Sequence, residues 1–229
     1  MNTAVQRSQL NDAVGLTGCL APEFRELNLE PVVRGSTVGQ FAQHATIFFE
    51  GDSADTICQV VDGAVMLYKL LPDGRRQVVE LLGPGDIFGF AQGSYRDASA
   101  ETLTAARIRN YDRRGAEKSC GFQRLLARQM LAQLEAMHDH AVLLGRKSAM
   151  ERVASFLLQL ACERRATDER PVVRLPMTRQ EIADYLGLTI ETVSRSFSEL
   201  KRRGLIALEK QDRVRIVDVE AMNGIAGAV

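Results

Sequence analysis

The stretch LPMTRQEIADYLGLTIETVSRSFSELKRRGLIALEKQDRVRIV, residues 175–217, decides the fold. Within it, Thr178 is followed three residues later by Glu181, which is the spacing of a capping box at the start of a helix. Apolar residues line one face of the short helix that follows, and Gly187 then supplies a turn. Thr189 has the position of a second N-cap. This spacing predicts two short helices joined by a glycine turn, which is the arrangement of a helix-turn-helix.

The second of these helices has two faces of opposite character. Its apolar stripe consists of Val193, Phe197 and Leu200. Its other face carries Glu191, Ser194, Arg195 and Ser198 at i, i+3, i+4 and i+7. Arginine can donate two hydrogen bonds to guanine, glutamate can accept from cytosine, and serine bonds either kind of base edge. We predict that Glu191, Ser194 and Arg195 read bases in the major groove of double-stranded DNA. The competing interpretation is a surface ion pair between Glu191 and Arg195.

Contacts to the DNA backbone are expected from side chains around the same two helices, because phosphate contacts position a protein without reading sequence. These residues are Thr178, Arg179, Thr189, Thr192, Ser198 and Lys201. The basic members of this set are equally typical of a solvated surface. Beyond the second helix, residues 204–206 and 213–217 alternate as a small hairpin does, which predicts a wing with its tip at residues 210–212.

Residues 36–115 have a different pattern, in which short β-type runs alternate with glycine, proline and aspartate turn signals. The runs are 46–49, 57–61, 64–71, 77–82, 87–90 and 100–111. Many short strands at spacings near about ten residues predict an antiparallel barrel or sandwich. Residues 1–35 have no strong periodicity and are treated as an N-terminal extension, within which residues 21–29 favour a short helix.

A helical period begins after residue 115 and predicts a long helix over residues 116–147. Five of its residues are spaced four, three, four and three apart, as in an a/d seam: Met130, Leu134, Met137, Ala141 and Leu144. Such a seam predicts either a helix that pairs with its twin in a homodimer or a helix that packs on its own barrel. A further helix is expected from about residue 148 to 164, and we place the C-terminal domain at residues 148–229.

The composition limits the classes of protein that remain. The chain has 29 basic and 29 acidic residues, with the basic excess lying from residue 145 onward, which favours an anionic partner for that part. No apolar run reaches the roughly 18 residues of a membrane span. No nucleophile elbow, zinc-protease motif or P-loop occurs, so an enzyme is not expected. The four cysteines are far apart and no export signal precedes them, which indicates a reduced, cytoplasmic protein.

Taken together, the motifs resemble the CRP/FNR family of bacterial regulators. Residues 191–195, ETVSR, are similar to the E-x-x-S-R pattern of the FNR and FixK branches, and residues 70–79 and 83–90 are similar to FixK-type proteins. The resemblance implies an α+β protein with an antiparallel β-roll of the cyclic-nucleotide-binding kind, a long dimerisation helix and a C-terminal winged helix-turn-helix. It also implies a palindromic DNA site with TTGAT-type half-sites about one helical turn, ~34 Å, apart. Recruitment of RNA polymerase and activation of transcription are implied as well.

Two departures from the family concern its known effectors. The cyclic-AMP-binding members have a G-E-L and an R-S-A motif, whose arginine pairs with the cyclic phosphate. Here Gly89 is followed by Phe90, the second motif begins at Ala98, and Arg96 lies two residues out of register. An iron–sulfur centre needs about four thiolates, and the N-terminal region offers Cys19 alone. We therefore expect neither group and no other cofactor.

Several alternatives stay open at this point. Haem is one of them, with His44, His138 or His140 as a ligand, in a ligand- or haem-gated regulator of the same fold. A different class of protein is also considered, a cyclic-nucleotide-binding regulatory module of an enzyme or channel. A redox-sensitive cysteine occurs in some FixK proteins at the start of the helix-turn-helix, but Thr178 holds that place here.

Overall fold

The computed structural model describes residues 36–162 and 171–227. The predicted N-terminal extension 1–35, with its short helix and Cys19, lies outside these ranges, as does the side chain of Cys162. The described chain packs as two units, one of residues 36–69 and 79–137, the other of residues 70–78 and 138–227. The predicted domain borders, after residues 115 and 147, fall on either side of this division, which lies inside the long helix.

Eight short strands form two four-stranded sheets, and all of them belong to the first unit except the end of β4 and the first residues of β5, which fall within residues 70–78. The strands are β1 (Thr37–Phe41), β2 (Thr46–Phe48), β3 (Thr56–Asp62), β4 (Val65–Leu70), β5 (Arg76–Leu82), β6 (Ile87–Phe88), β7 (Ser99–Thr102) and β8 (Ala106–Asp112). One sheet has the order β1-β8-β3-β6 and the other β2-β7-β4-β5. Neighbouring strands such as β1 and β8, β3 and β8, and β4 and β7 are antiparallel. The predicted antiparallel β-roll is confirmed.

The core of the roll explains the strand pattern seen in the sequence. Alternate residues of β3, β4 and β8 point inward and pack against Leu82 and Phe88, with Val60, Val65 and Ile108 almost fully buried. Burial of these apolar side chains is the main favourable contribution to folding.

Two features of the roll differ from the sequence prediction. The run predicted at 100–111 is two strands, because the chain turns at residues 103–105, where Thr104 Oγ1 accepts from the Ala64 amide at 3.0 Å. Thr102, the last residue of β7, is paired with Val65, and its Oγ1 donates to the Ala42 carbonyl at 2.6 Å and accepts from the Ala45 amide at 2.9 Å. The first strand, β1, was not predicted. It lies at the edge of its sheet with mostly exposed side chains, so it lacks the apolar alternation of a half-buried strand.

The prediction of one helix over residues 116–147 is wrong at its start. The structure has a short helix α1 (Arg113–Glu117) and then a separate long helix α2 (Cys120–Arg146). Ser119 separates them, since its Oγ accepts a hydrogen bond from the Phe122 amide at 3.3 Å and thus caps the new helix.

The inward face of α2 is held to the roll by polar contacts. Gln129, which is buried, donates from Nε2 to Asp86 Oδ1 at 3.4 Å. Gln133 donates from Nε2 to the Ile87 carbonyl at 3.2 Å. Phe122 packs with Tyr111 in the adjoining apolar cluster. These contacts fix which side of α2 turns away from the roll.

The second unit contains the remaining helices and a small sheet. Its elements are α3 (Ala149–Cys162), β9 (Val172–Arg174), α4 (Arg179–Leu186), α5 (Ile190–Arg202), β10 (Ile206–Lys210), β11 (Arg213–Ile216) and α6 (Val219–Ala226). The sheet order is β10-β11-β9. The helix predicted to end near residue 164 is described as far as Cys162. The core lies between α3, α4 and α5, around Phe156, Ile182, Val193 and Phe197.

Residues 70–78 belong to this second unit through polar contacts with α4. Arg76 Nε lies 2.9 Å from Asp184 Oδ2, and both side chains are largely buried. Gln77 donates from Nε2 to the Tyr185 carbonyl at 3.3 Å. None of the described helices combines the length and apolar character needed to cross a membrane.

Candidate nucleic-acid interface

The first helix of the motif begins at the predicted capping box. Thr178 Oγ1 accepts from the Glu181 amide at 3.2 Å, and Glu181 Oε2 accepts from the Thr178 amide at 2.7 Å. Gly187 ends the helix in the left-handed conformation, with φ +61°, which a residue with a side chain adopts at a cost. The capping box and the glycine turn are both confirmed, and together they set the direction in which α5 leaves α4.

The second helix, α5, is capped by Thr189, whose Oγ1 accepts from the Thr192 amide at 3.3 Å. The predicted stripe of Val193, Phe197 and Leu200 is buried. The opposite side of α5 therefore faces solvent, as a helix that enters a groove of DNA requires.

The predicted base-reading residues lie together on this exposed side. Glu191, Ser194 and Arg195 are all exposed, and Ser198 continues the same face. Arg195 Nε donates to the Glu191 carbonyl at 3.3 Å, so the guanidinium contacts the backbone of α5. Hydrogen bonds from its own backbone amide and from the Thr189 side chain lower the pKa of Glu191, which keeps it an ionised acceptor. These groups form one row of donors and acceptors.

The residues predicted to contact phosphates have unequal surroundings. Thr178, Thr189 and Lys201 are exposed at the ends of α4 and α5. Thr192 is half-buried, with Oγ1 3.0 Å from Thr189 Oγ1. Arg179 is also half-buried, and its guanidinium lies 3.7 Å from the centre of the Phe197 ring. This cation–π contact ties α4 to α5 and occupies one face of the guanidinium.

Glu199 is a residue that the sequence reasoning missed. Its Oε1 lies 2.7 Å from both Arg202 Nη2 and Arg203 Nε. Hydrogen bonds from these two guanidinium groups lower the pKa of Glu199 to about 2. Its position three and four residues before two arginines was the available signal. The pairing partly offsets the positive charge at this end of α5, whereas Lys201 has no such partner among the hydrogen bonds of the described residues.

The wing follows directly after α5. Strands β10 and β11 form the predicted hairpin, and β9 pairs with the outer side of β11. The register shifts between Leu208 and Lys210, which is typical of a β-bulge near a hairpin end. Glu209 pairs with Arg215 across the hairpin, while Lys210 and Arg213 remain exposed at its tip. These exposed cations place positive charge at the tip of the wing.

The outward side of α2 is apolar and exposed within one chain. Of the predicted seam, Met130 is 52% exposed, Leu134 47% and Met137 58%. Leu131 and Val142 lie on the same side and are exposed to a similar degree. The sequence reasoning missed these two because it followed a single a/d row, whereas the exposed face is wider. At the other margin of the exposed face, Leu144 is half-buried. It lies close to Gly187, since a Cβ added at Gly187 would be 3.4 Å from Leu144 Cδ2.

The residues compared above with the effector-binding motifs of the family lie in the roll. Ala98 is buried and Phe90 half-buried, so neither offers a charge. Arg96 is buried, and its guanidinium donates to the carbonyl oxygens of Gly89 and Thr56. Burial raises the pKa of the Cys58 thiol to about 11, so this thiol is protonated at neutral pH. The arrangement does not fit a cyclic phosphate held as in the cyclic-AMP-binding members of the family, where an arginine pairs with it.

The three histidines have unrelated surroundings. His44 Nδ1 lies 3.6 Å from Glu101 Oε1, and His138 is exposed. The His140 ring stacks on Tyr185 with centroids 4.3 Å apart, and burial lowers its pKa. Both ring nitrogens of His140 are buried without a hydrogen-bond partner among the described residues.

Comparison with known proteins gives a family match in each of the two parts of the chain. The Crp-like helix-turn-helix domain matches residues 151–225, and the cyclic nucleotide-binding domain matches residues 38–121. The nitrogen fixation regulation protein FixK of Rhizobium meliloti is 40% identical over 203 residues, which cover 89% of this chain and 93% of that protein. The transcriptional activatory protein AadR of Rhodopseudomonas palustris is 39% identical over 205 residues, 82% of this chain and 83% of that protein.

A solved structure agrees with these matches. FixK2 from Bradyrhizobium japonicum superposes with a TM-score of 0.76 at 36% identity, and covers 85% of this chain and 99% of its own. These relatives are transcription regulators and not enzymes. The chain therefore belongs to the CRP/FNR family of transcription regulators, is FixK-like, and binds DNA through its helix-turn-helix.

Proposed function

We propose that this protein is a transcription activator that binds, as a homodimer, a palindromic site with TTGAT-type half-sites. The observation that carries the proposal is the exposed row of Glu191, Ser194 and Arg195 on α5. In it, the guanidinium can donate two hydrogen bonds to guanine and the carboxylate can accept from cytosine. In this proposal the exposed side chains of Thr178, Thr189 and Lys201 contact phosphates and so hold α5 in the major groove.

The exposed face of α2 supports the homodimer. Five large apolar side chains are exposed on one side of a single helix: Met130, Leu131, Leu134, Met137 and Val142. An apolar stripe of this length exposed to water is unfavourable and is typical of a helix that pairs with another. A second copy of the same chain supplies the matching stripe, and two copies present two recognition helices to a two-fold symmetric site.

We further propose that neither a cyclic nucleotide nor an iron–sulfur cluster is needed for DNA binding. Arg96, which lies two residues from the family's phosphate-binding motif, has its Nη donors directed to carbonyl oxygens. A cluster ligand must be a thiolate, and the raised pKa of Cys58 disfavours that form. Haem is not favoured by any grouping of the described histidines. In this proposal the amount of protein, rather than a bound effector, limits activity.

Contact with RNA polymerase completes the proposal. It is supported by the likeness to AadR, which is named as an activatory protein, and not by a particular surface of this chain. In vitro transcription from a promoter with one TTGAT palindrome measures it directly, because an activator raises the transcript yield and a repressor lowers it.

The experiment that tests the proposal is DNA binding by purified, metal-free protein. Fluorescence anisotropy at fixed salt compares a TTGAT palindrome with a scrambled duplex, with and without cyclic AMP, since affinities depend steeply on salt. We expect specific binding without any added ligand. Binding that requires cyclic AMP would contradict the ligand-free part of the proposal. Equal binding to both duplexes would contradict the half-site, and haem is the next addition if neither duplex is bound.

A further inference from the structure

Arg96 is a buried cation that links three parts of the roll. Its side chain is only 4% exposed. Nη2 donates to the Thr56 carbonyl at 2.7 Å and to Thr56 Oγ1 at 2.9 Å, at the start of β3. Nη1 donates to the Gly89 carbonyl, directly after β6, and the guanidinium lies 4.3 Å from the centre of the Phe48 ring in β2. One side chain therefore joins β2, β3 and the segment that follows β6.

The surroundings of Arg96 are not those expected of a residue that serves stability alone. Among the described residues, no carboxylate lies within ion-pair distance of its guanidinium, and its Nε has no hydrogen-bond partner. Removing a charge from water is costly, and a well-packed apolar side chain of similar volume is often at least as stabilising. The geometry of the four contacts, rather than their net energy, is what Arg96 provides.

The backbone at Gly89 is shaped to receive this guanidinium. Gly89 has φ +82°, a conformation that side chains rarely adopt. A Cβ at this position would lie 2.5 Å from Arg96 Nη1. Glycine is required here both for the backbone conformation and for the close approach of Arg96. By contrast, Gly51 has a similar φ of +89° but open space where its Cβ would be.

The segment that Arg96 anchors directly follows β6, and α2 is bonded to β6 and to the residue before it. Ile87, two residues before Gly89, accepts from Gln133 at 3.2 Å through its carbonyl. Asp86 accepts from Gln129 at 3.4 Å. Gln129 and Gln133 directly precede Met130 and Leu134, the first two residues of the predicted seam. A short path therefore runs from Arg96 through β6 to the apolar face of α2.

We propose that Arg96 is a positioning residue for dimerisation, an internal strut that holds the segment after β6 in place and so fixes α2 with its apolar face outward. The orientation of the seam is then fixed by Arg96, and no bound ligand is needed to fix it. This inference rests on the homodimeric, ligand-independent function proposed above. It makes the roll a permanent support for the dimer.

The experiment measures dimer dissociation by sedimentation equilibrium, without DNA, for the full chain and four variants. Arg96→Ala removes the strut, and Gly89→Ala displaces it without changing the arginine. Arg107→Ala is the control for removing an arginine from the same roll, since Arg107 is 54% exposed and lies 3.9 Å from Asp62. Gly51→Ala is the control for a Cβ at positive φ. We expect the dissociation constant to rise about tenfold or more in Arg96→Ala and Gly89→Ala, and to stay unchanged in both controls.

A second readout separates a position effect from loss of folding. If Arg96 acts through the seam, raising the concentration of Arg96→Ala restores full DNA binding, because a higher protein concentration shifts the monomer–dimer equilibrium toward the dimer. A protein that is partly unfolded keeps a reduced active fraction at every concentration, and that result would overturn the proposal. Should Arg96→Ala melt near the assay temperature, Arg96→Gln is measured in its place.

The outcomes distinguish this inference from the proposed function. A wild-type chain that is monomeric without ligand contradicts the proposed function itself. A wild-type dimer that Arg96→Ala and Gly89→Ala both leave intact contradicts only the role of Arg96.

Discussion

At the scale of single residues, the contacts of each arginine near α5 separate their roles. Arg202 and Arg203 share the carboxylate of Glu199, and Arg179 lies on the Phe197 ring. Arg195 is exposed and bonds only a carbonyl of its own helix. Because that bond is local and 3.3 Å long, the Arg195 guanidinium is the one of these four that can turn toward a base without giving up an ion pair or a ring contact.

Replacement of Arg195 by alanine tests this assignment. We expect Arg195→Ala to weaken binding to the palindrome by roughly 1–3 kcal/mol and to relax the preference at the guanine of the half-site. Binding to a series of duplexes with single base changes, measured at one salt concentration, checks both effects. Arg202→Ala is the matched control, and we expect it to lower affinity for all sequences alike. Unchanged discrimination in Arg195→Ala means that another residue reads the guanine.

At the scale of elements, α4 depends on its first turn. An eight-residue helix is marginal in isolation, and its N-terminus is satisfied by the reciprocal bonds of Thr178 and Glu181. Arg76 supports the same helix from residues 70–78 through Asp184. The cap and this buried pair hold α4 in place, and the turn at Gly187 then fixes the start of α5.

Thr178→Ala is expected to destabilise the protein by about 1 kcal/mol, because it leaves the Glu181 amide without its acceptor. Urea unfolding followed by circular dichroism measures the change. Thr178→Ser, which keeps the hydroxyl, is the control and should retain most of the stability. A midpoint for Thr178→Ala equal to that of the wild type would show that the cap contributes nothing in this fold. Stability is the readout, since Thr178 is also a proposed phosphate contact.

At the scale of the whole molecule, the exposed face of α2 determines the expected assembly. Leu134 lies in the middle of this face and is 47% exposed in a single chain. In a paired helix the same side chain is buried against its counterpart, so its surroundings depend on the second copy.

Leu134→Asn is therefore expected to weaken the dimer, because the paired helices would bury an amide without partners. Asp139→Asn, which also changes an exposed residue of α2 but off the apolar face, should leave the dimer intact. Sedimentation equilibrium of both variants at several concentrations gives the dissociation constants. A Leu134→Asn protein as dimeric as Asp139→Asn would place the dimer interface on another surface.

The sequence by itself determined the features that depend on local spacing. The capping box at Thr178 and Glu181 and the buried stripe of α5 follow from residues three and four apart, which neighbour one another on any helix. The turn at Gly187 follows from the freedom of glycine to adopt positive φ. The short β-type runs and the glycine, proline and aspartate turn signals between them predicted the roll for a similar reason, since turns of this kind depend on a few consecutive residues.

Only the tertiary structure decided which groups distant in the chain meet. Arg96 lies 40 residues from Thr56, and the chain must close into a roll before its guanidinium can reach that carbonyl. Arg76 and Asp184 are 108 residues apart in the chain. Neither the strand pattern around Arg76 nor the helical pattern around Asp184 indicates that they pair. The width of the exposed face of α2 likewise depended on which of its side chains the roll covers. Local spacing is fixed by the covalent geometry of the chain, whereas long-range contacts depend on the packing of the entire core.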